Sequence, residues 1–510
     1  MITPATRAAE RTDPARTAIS WTPCPEDAAV DCGTITVPID WKHPEGGTFQ
    51  VGVARRKATD PAARIGVLAL GAGGPGGSGV NLVLTSQRRF SPDVLRRFDI
   101  VGLDPRGTNR SHPVVCSTDL MMQAPDPLMK SQADFDRRVA YNESLRADCR
   151  ARTGPLFDHV DSLSTAADLD AFRAALGERQ LSFWGGSYGT LLGQLYAERY
   201  PNRVRAFVLD STMDHSLGTQ AFMDTETWGA QDAFDEFAAW CDRDSRCLQH
   251  GQDVKAFWRG LLERADRGEL HVPGEPGTPV TALMIVDAAL GAFYDPANWL
   301  PLSQLLADLD SGQATGGSAL RMSLAGAQKY DARKSDTQAN SAEEVSPNPL
   351  QIFCLDYRLP IRDYREFSGH LRRLAKIAPE MRYSTIAIAT TVGCLGTPGP
   401  IPNPQHRLNV RTDTPLLVAN SLHDPATVYP WALGTTRQLG RSGRLLTYEG
   451  WGHIVLGRGA CGNGAIDSYL LTRTLPAKGA RCPAVPPAEV STLSEPVAPL
   501  PGTPGWSFRF

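Results

Sequence analysis

Trp184-Gly-Gly-Ser-Tyr-Gly-Thr190 joins an apolar run, Leu181–Trp184, to a helical pattern over Leu191–Tyr200. A Gly-x-Ser-x-Gly sequence between a strand and a helix is typical of a nucleophile elbow, in which the serine takes a strained turn conformation. Glycine on either side leaves room for the chain to fold back. The pattern therefore predicts that Ser187 presents a nucleophilic hydroxyl at a helix N-terminus, where amides and the helix dipole favour negative charge.

A glycine-rich loop, Gly71–Gly79, follows a second apolar run, Arg64–Leu70, which reads as a buried strand. Such a loop can present bare backbone N–H groups to a developing oxyanion. A phosphate-binding loop fits poorly, because the loop lacks a Gly-Lys-Ser/Thr ending and the Rossmann glycine spacing. We therefore expect the N–H groups of Gly74 and Tyr188 to form an oxyanion hole.

The acid and base that such a serine needs are predicted further along the chain, in the order Ser, Asp, His. Asp424 follows an apolar strand, Pro415–Asn420, and so lies at the carboxyl end of that strand. His453 follows the next strand, Arg444–Tyr448. A neutral imidazole at His453 would take the Ser187 proton, and Asp424 would fix its tautomer.

Two neighbouring residues compete for these roles. Asp210 ends another apolar strand, Val204–Leu209, and some hydrolases take their acid from that position, so Asp210 stays an alternative to Asp424. His423 adjoins Asp424, but adjacent residues on an extended chain point in opposite directions. We therefore interpret His423 as a loop histidine outside the triad.

Together these segments resemble the tripeptidyl/prolyl aminopeptidase family of serine α/β-hydrolases from actinobacteria. The resemblance covers nearly the whole chain and rests on the serine motif, the Asp424 and His453 segments, Gly73–Gly79, and Asp104-Pro-Arg-Gly107 with Ser111. It implies the same triad, cleavage of peptides from a free N-terminus, and a buried or half-buried pair formed by Asp104 and Arg106. It implies no metal or cofactor.

The chain departs from the family pattern at two places. Gly71 and Ala72 precede the glycine motif where relatives carry Asn-Pro or His, which alters the mouth of the oxyanion loop. Asn109 stands where a glycine is usual. Neither departure removes a catalytic group, but the first leaves the substrate class open.

Composition is that of an ordinary globular protein: 510 residues, 42% hydrophobic and 21% charged. The net charge of −3 gives no reason to expect nucleic acid or an anionic membrane as a partner. No apolar run reaches the ~18–20 residues of a membrane span. The expected partner is a peptide or small acyl substrate.

The ten cysteines predict five disulfides and an oxidising compartment, so we expect a secreted or cell-envelope protein. Met1–Ser20 lacks the hydrophobic core of a signal peptide, which keeps a cytoplasmic enzyme with reduced cysteines as the alternative. Four pairs are close in sequence, and the two remaining cysteines could pair across the lid. The pairs are Cys24 with Cys32, Cys116 with Cys149, Cys241 with Cys247, Cys461 with Cys482, and Cys354 with Cys394.

Strands alternating with helices predict an α/β-hydrolase core with a mostly parallel sheet covered on both faces. Antiparallel strands are expected at Thr34–Ile39 and Phe49–Ala54. After Asp210 the pattern becomes helical, and strand signals return only near Pro415. The helices are predicted at Trp228–Asp242, Val254–Ala265, Ala282–Phe293, Leu300–Asp310 and Tyr364–Lys376.

These patterns divide the chain into an N-terminal core part at 20–212, a helical lid at 213–405, a second core part at 406–485 and a Pro-rich tail at 486–510. Ser311–Asn348 is expected to be a loop. An aminopeptidase needs a partly buried carboxylate in its pocket for the substrate ammonium. The candidates are Asp224, Glu226, Asp232, Asp235 and Glu236.

Two other functions use or mimic the same scaffold. An esterase or amidase that acts on a lipid or secondary metabolite would need the same serine, acid and base. A non-catalytic binding protein is expected to have lost a triad member, and none is lost here. An aspartate-dependent dehalogenase or epoxide hydrolase is disfavoured, because the elbow carries serine.

Overall fold

The computed structural model describes residues 19–273, 275–313 and 344–487, and a mixed β-sheet lies at its centre. The predicted loop at Ser311–Asn348 and the tail at 486–510 lie largely outside those residues. The strands, in chain order, are β1 (Thr22–Pro23), β2 (Asp31–Pro38), β3 (Thr48–Arg56), β4 (Gly66–Gly71), β5 (Phe98–Leu103), β6 (Val115–Ser117), β7 (Leu181–Gly186), β8 (Val204–Asp210), β9 (His271–Val272), β10 (Glu275–Pro279), β11 (Val345–Pro347), β12 (Leu416–His423), β13 (Gly443–Trp451) and β14 (Arg481–Cys482).

Ten strands of the described chain form one sheet in the order β1-β2-β3-β5-β4-β7-β8-β12-β13-β14. All neighbours from β5 to β14 are parallel, whereas β1, β2 and β3 pair antiparallel with their neighbours. The mostly parallel α/β sheet predicted from the sequence is therefore confirmed. The carboxyl ends of β4, β7, β8, β12 and β13 meet at one edge, which is where such sheets carry their chemistry.

Helices cover both faces of this sheet. Strand β7 shows why: Phe183 packs into one buried apolar cluster and its neighbour Trp184 into another on the opposite face. The helices are α1 (Gly79–Leu84), α2 (Pro92–Arg97), α3 (Thr118–Met122), α4 (Gln132–Thr153), α5 (Ser162–Ala175), α6 (Gly189–Arg199), α7 (Thr219–Arg243), α8 (Val254–Asp266), α9 (Ala282–Phe293), α10 (Trp299–Ser311), α11 (Leu350–Asp356), α12 (Tyr364–Ile377), α13 (Thr385–Gly393), α14 (Tyr429–Leu439) and α15 (Ala460–Thr472).

The stretch from α7 to α13, here called the helical segment (residues 219–393), packs around α7, which contacts α8, α9, α12 and α13. All five helices predicted there are confirmed as α7, α8, α9, α10 and α12. The expectation that no strand precedes Pro415 was wrong. Strands β9 and β10 form a small hairpin, and β11 pairs antiparallel with β6, more than two hundred residues away.

Asp104 and Arg106 are both buried, but they do not pair with each other as expected. The Arg106 guanidinium binds both carboxylate oxygens of Asp168 in α5, at 2.6 and 2.7 Å. The Asp104 carboxylate instead accepts hydrogen bonds from the Ser78 hydroxyl and the Val80 amide, beside the glycine loop. Each group binds a residue on another element. The Arg106 guanidinium binds both oxygens of one carboxylate, and the Asp104 carboxylate accepts bonds from a hydroxyl and a backbone amide.

All five predicted disulfides are present, and the described chain has no free cysteine. No helix among the described residues is long and apolar enough to cross a bilayer. The pairs are Cys24–Cys32, Cys116–Cys149, Cys241–Cys247, Cys354–Cys394 and Cys461–Cys482.

The disulfides give a direct test by mass. The unreduced protein should weigh ten hydrogen atoms less than the reduced protein, since each of five bridges removes two. Thiol titration of the denatured, unreduced protein should find almost no free thiol. Ten free thiols in active protein would contradict the oxidised structure.

Candidate active site

Ser187 lies in a tight turn between β7 and α6, and its backbone has a φ of +57°, in the left-handed region. The Ser187 N–H donates to the carbonyl of Asp210, at 2.9 Å, which holds the turn against β8. A Cβ on Gly189 would lie 2.3 Å from the carbonyl oxygen of Gly71, so glycine is required there by a close backbone approach. The structure thus has the strand, turn and helix that a nucleophile elbow requires.

The glycine loop lies directly over the serine. A Cβ on Gly73 would fall 2.9 Å from Cβ of Ser187 and 3.4 Å from its Oγ. Gly74 has a φ of +115°, which favours glycine. Within residues 19–273, 275–313 and 344–487, no group accepts a hydrogen bond from the N–H of Gly74 or Tyr188. Both amides are therefore free to bind an anion beside Ser187.

Asp104 and Asn109 hold this loop from below. The Asp104 carboxylate fixes the end of the loop through Ser78 and Val80, and the Asn109 side-chain amide donates to the carbonyl of Gly76, at 3.0 Å. Asn109 therefore fixes the glycine loop through a side-chain hydrogen bond that a glycine at this position could not make.

Asp424 and His453 meet at the neighbouring strand ends. The Nδ1 atom of His453 is 3.0 and 3.1 Å from the two carboxylate oxygens of Asp424. The backbone amides of Ala426 and Thr427 also donate to the buried Asp424, at 2.9 and 3.0 Å. Burial favours a higher pKa for Asp424, but the nearby imidazole and these donors outweigh it and lower that pKa. Asp424 is thereby kept as an anion that can orient an imidazole.

The competing acid, Asp210, lies close by but binds different partners. Its carboxylate accepts hydrogen bonds from the backbone amides of Val455 and Leu456, at 2.7 and 3.0 Å, and from the Trp184 indole, at 3.2 Å. Asp210 therefore anchors the loop after His453, whereas the hydrogen bonds of the His453 ring go to Asp424 and Thr427.

Ser211 connects these groups, and no sequence signal singled it out. Its hydroxyl donates to Oδ2 of Asp424, at 2.7 Å, and accepts from the Ile454 N–H, at 2.8 Å. The Ser211 side chain thus links Asp424 to the backbone of Ile454, the residue after His453.

Tyr294, at the end of α9, holds His453 from the helical segment. The carbonyl of Tyr294 accepts from the N–H of His453, at 2.8 Å, and the two rings meet edge to face, 5.0 Å apart. The guanidinium of Arg458 donates to the carbonyls of both residues and pairs with Asp295. No local sequence pattern distinguishes Tyr294 from the other aromatic residues of the helical segment.

His423 is the last residue of β12 and so is not the loop histidine expected from the sequence. Its Nδ1 is 2.9 Å from Oδ2 of Asp232 in α7, and its ring stacks on Trp451. Burial would lower the pKa of His423, but the hydrogen bond and charge of Asp232 raise it. His423 therefore joins the core to α7. Among the described residues, no three His, Cys, Asp or Glu side chains are grouped as a metal site requires.

Comparison with known proteins agrees with this geometry. Residues 70–460 match the family model of the alpha/beta hydrolase fold. The chain is 32% identical to the serine protease Hip1 of Mycobacterium tuberculosis over 490 residues, which cover 91% of each chain. It is 30% identical to the tripeptidyl aminopeptidase of Streptomyces coelicolor, covering 92% of this chain and 86% of that protein. It is also 32% identical to carboxylesterase B of Mycobacterium tuberculosis, covering 91% of this chain and 89% of that protein.

The anchoring carboxyl of Asp210 predicts a particular pH dependence of stability. Burial raises the pKa of Asp210 to about 6, although the amide donors oppose the shift. A carboxyl with a raised pKa binds its proton more tightly when folded, so its stabilising contribution is largest at low pH. That contribution is lost as the pH rises through about 6.

Comparing wild type with Asp210→Asn isolates this effect. Between pH 4 and 7, the free energy of unfolding of wild type should fall relative to the variant, by on the order of 3 kcal/mol. Denaturant unfolding at several pH values measures it. Two curves that stay parallel over this range would mean that Asp210 does not titrate as described.

Proposed function

Because the chain belongs to the α/β-hydrolase family and is a serine hydrolase, we propose that it cleaves peptides from a free N-terminus. Ser187 is the proposed nucleophile, His453 the base and Asp424 the acid. The observation that carries the peptide assignment is a buried carboxyl group, Glu226, which lies on α7 near the Asp424 loop and has no cationic partner among the described residues.

The proposed reaction gives each of these residues one role. His453 takes the proton of Ser187 through Nε2, while Asp424 holds its Nδ1–H. The serine oxygen then attacks the carbonyl carbon, and the N–H groups of Gly74 and Tyr188 bind the oxyanion. His453 gives its proton to the leaving amine, an acyl-enzyme remains, and water activated by His453 releases the acyl group.

All five acidic candidates on α7 have polar partners, but only Glu226 among them is buried. Glu226 differs from them: it is 1% exposed, and its contact is a hydrogen bond from the Ser384 hydroxyl, at 3.1 Å. The others bind as follows: Asp224 to Arg373, Asp232 to His423, Asp235 to Lys255, and Glu236 to the Trp451 indole.

Glu226 is also close to the triad. One turn further along α7, a Cβ on Gly229 would lie 3.4 Å from the carbonyl oxygen of Asp424, so this face of α7 rests on the acid's loop. Burial raises the pKa of Glu226 well above its ordinary value, and the charge of Asp424 adds to the shift. A carboxyl in this position gains most from a cation, and a substrate ammonium would supply one.

The relatives' names support two functions. Two of the three proteins compared above are named as a serine protease and a tripeptidyl aminopeptidase, which supports the peptidase. The third is named carboxylesterase B, so an esterase that acts on a lipid or metabolite is the second candidate. The triad and oxyanion hole serve both, and recognition of the ammonium separates them.

The five disulfides further support an extracellular or cell-envelope location, because such bridges persist in oxidising compartments. We propose the helical segment as the lid over Ser187 and the two flanking parts of the chain as the hydrolase core.

The triad assignment is tested by substitution. Ser187→Ala, His453→Ala and Asp424→Asn should each lower kcat by about 10³-fold or more, and double variants should lose little further, because the three residues act as a unit. A fluorophosphonate probe should label wild type and not Ser187→Ala. Full activity in Asp424→Asn, with loss in Asp210→Asn, would reassign the acid.

The substrate assignment is tested with Glu226→Gln. For an unblocked peptidyl reporter amide this variant should raise KM by roughly 10-fold or more, because a charge-assisted hydrogen bond of about 1.5–3 kcal/mol is lost. For the N-acetylated reporter, which wild type should cleave poorly, the variant should change little.

Glu236→Gln is the matched control, since it removes a charge from the same helix at a residue bound to Trp451. It should leave the preference for unblocked substrate intact. Equal rates on blocked and unblocked reporters in wild type, or activity confined to acyl esters, would favour the esterase.

A further inference from the structure

Helix α11 contacts both sides of the proposed oxyanion hole. At its start, Pro349 packs against the glycine loop: a Cβ on Gly76 would lie 2.6 Å from Cβ of Pro349. At its end, Asp356 accepts a hydrogen bond from the Tyr188 hydroxyl, at 2.6 Å. Between them, the Phe353 ring lies 6.2 Å from the Tyr188 ring. Helix α11 and the residue before it therefore contact both the glycine loop and Tyr188.

Asp356 is a buried carboxyl group with four hydrogen-bond donors. It is 0% exposed, and each of its oxygens accepts two hydrogen bonds. Oδ1 accepts from the Ser162 N–H, at 2.9 Å, and from the Asn403 side-chain amide, at 2.7 Å. Oδ2 accepts from the Ser162 hydroxyl, at 2.5 Å, and from the Tyr188 hydroxyl. The triad chemistry uses none of these contacts.

We propose that Asp356 is a positioning residue for the oxyanion hole, which fixes the Tyr188 amide by holding the Tyr188 hydroxyl. This inference rests on the proposed function, in which Ser187 is acylated and the Tyr188 N–H binds the oxyanion. It makes α11 of the helical segment part of the catalytic geometry.

Asp356 would act on the oxyanion hole through the position of Tyr188. The peptide that carries the Tyr188 N–H follows the strained Ser187, whose carbonyl accepts hydrogen bonds from the N–H and the hydroxyl of Thr190. The hydroxyl of Tyr188, bound to Asp356, anchors the other side of this residue. A carboxylate only accepts hydrogen bonds, so it matches four donors. An amide at this position would point its NH₂ at the Ser162 and Tyr188 hydroxyls and reverse both bonds, so the charge-assisted hydrogen bond from the Tyr188 hydroxyl would be lost. The Asp356→Asn variant should therefore shift Tyr188, and a small misplacement of a catalytic donor is costly.

Two variants and one matched control test this. Asp356→Asn breaks the donor match, and Tyr188→Phe removes the hydroxyl but keeps the amide. Tyr196→Phe is the control, because Tyr196 lies on α6, the helix that follows Tyr188, is buried, and donates its hydroxyl to another carboxylate, Asp170, at 3.0 Å. The measurements are kcat and KM for the unblocked reporter amide, the rate constant of fluorophosphonate labelling at Ser187, and the melting temperature.

Both test variants should lower kcat and the labelling rate about 10-fold or more, with KM within about 3-fold of wild type, because the amide acts on the oxyanion and not on the ground state. The double variant should be no worse than the poorer single variant. Tyr196→Phe should stay within about 2-fold of wild type. If Asp356→Asn melts early, Tyr188→Phe decides the question.

The inference is overturned if Tyr188→Phe matches Tyr196→Phe in kcat and labelling, or if the loss is in KM alone. A wild type that neither cleaves the reporter nor labels at Ser187 would contradict the proposed function itself. A wild type that does both, with Tyr188→Phe unchanged, would contradict only the positioning role of Asp356.

Discussion

The carboxyl end of β8 is the point on which the rest of the site depends. The carbonyl of Asp210 holds the Ser187 N–H, its carboxylate holds the amides of Val455 and Leu456, and Ser211 joins Asp424 to Ile454. Three residues here have a strained backbone, since Ser187, Ser211 and the β-branched Ile454 have φ values of +57°, +59° and +73°. Such conformations cost on the order of 1–3 kcal/mol each and persist only where surrounding bonds determine them. The buried Asp210 supplies those bonds on both sides.

The helical segment contacts the residues that the sheet places at the candidate site. The core places Ser187, Asp424 and His453 at three strand ends. His453 is held by Tyr294, which follows α9, and Tyr188 by Asp356 of α11. Gly229 allows α7 to lie directly on the Asp424 loop. Both the orientation of the base and the anchoring of Tyr188 therefore depend on elements that are distant in sequence.

The elements that sequence predicts best are those with a local signal. Residue spacing, apolar runs and glycine positions predict the strand and helix around Ser187 and the strand ends before Asp424 and His453. The spacing of the cysteines predicts the five disulfides. Residues such as Ser211 and Asp356 could not be found, because their importance arises from partners about two hundred residues away. Strand β11 was missed for the same reason: three residues carry no periodicity, and only pairing with β6 makes them a strand. The expected pairing of Asp104 with Arg106 failed because proximity in sequence was taken for contact.

Glu226 offers the sharpest argument about substrate. A carboxyl group that is fully enclosed, with one hydroxyl as its donor, destabilises the charged form and so lowers the benefit of keeping an acid there. Glutamine would satisfy the Ser384 hydroxyl equally well, since its carbonyl oxygen accepts the same bond. A neutral acyl ester has no cation that could bind the carboxyl group of Glu226. A peptide ammonium, in contrast, would convert the unfavourable buried carboxyl into a buried ion pair. The acid at Glu226 thus has a physical reason in an aminopeptidase that it lacks in an esterase, and this asymmetry favours the peptide substrate.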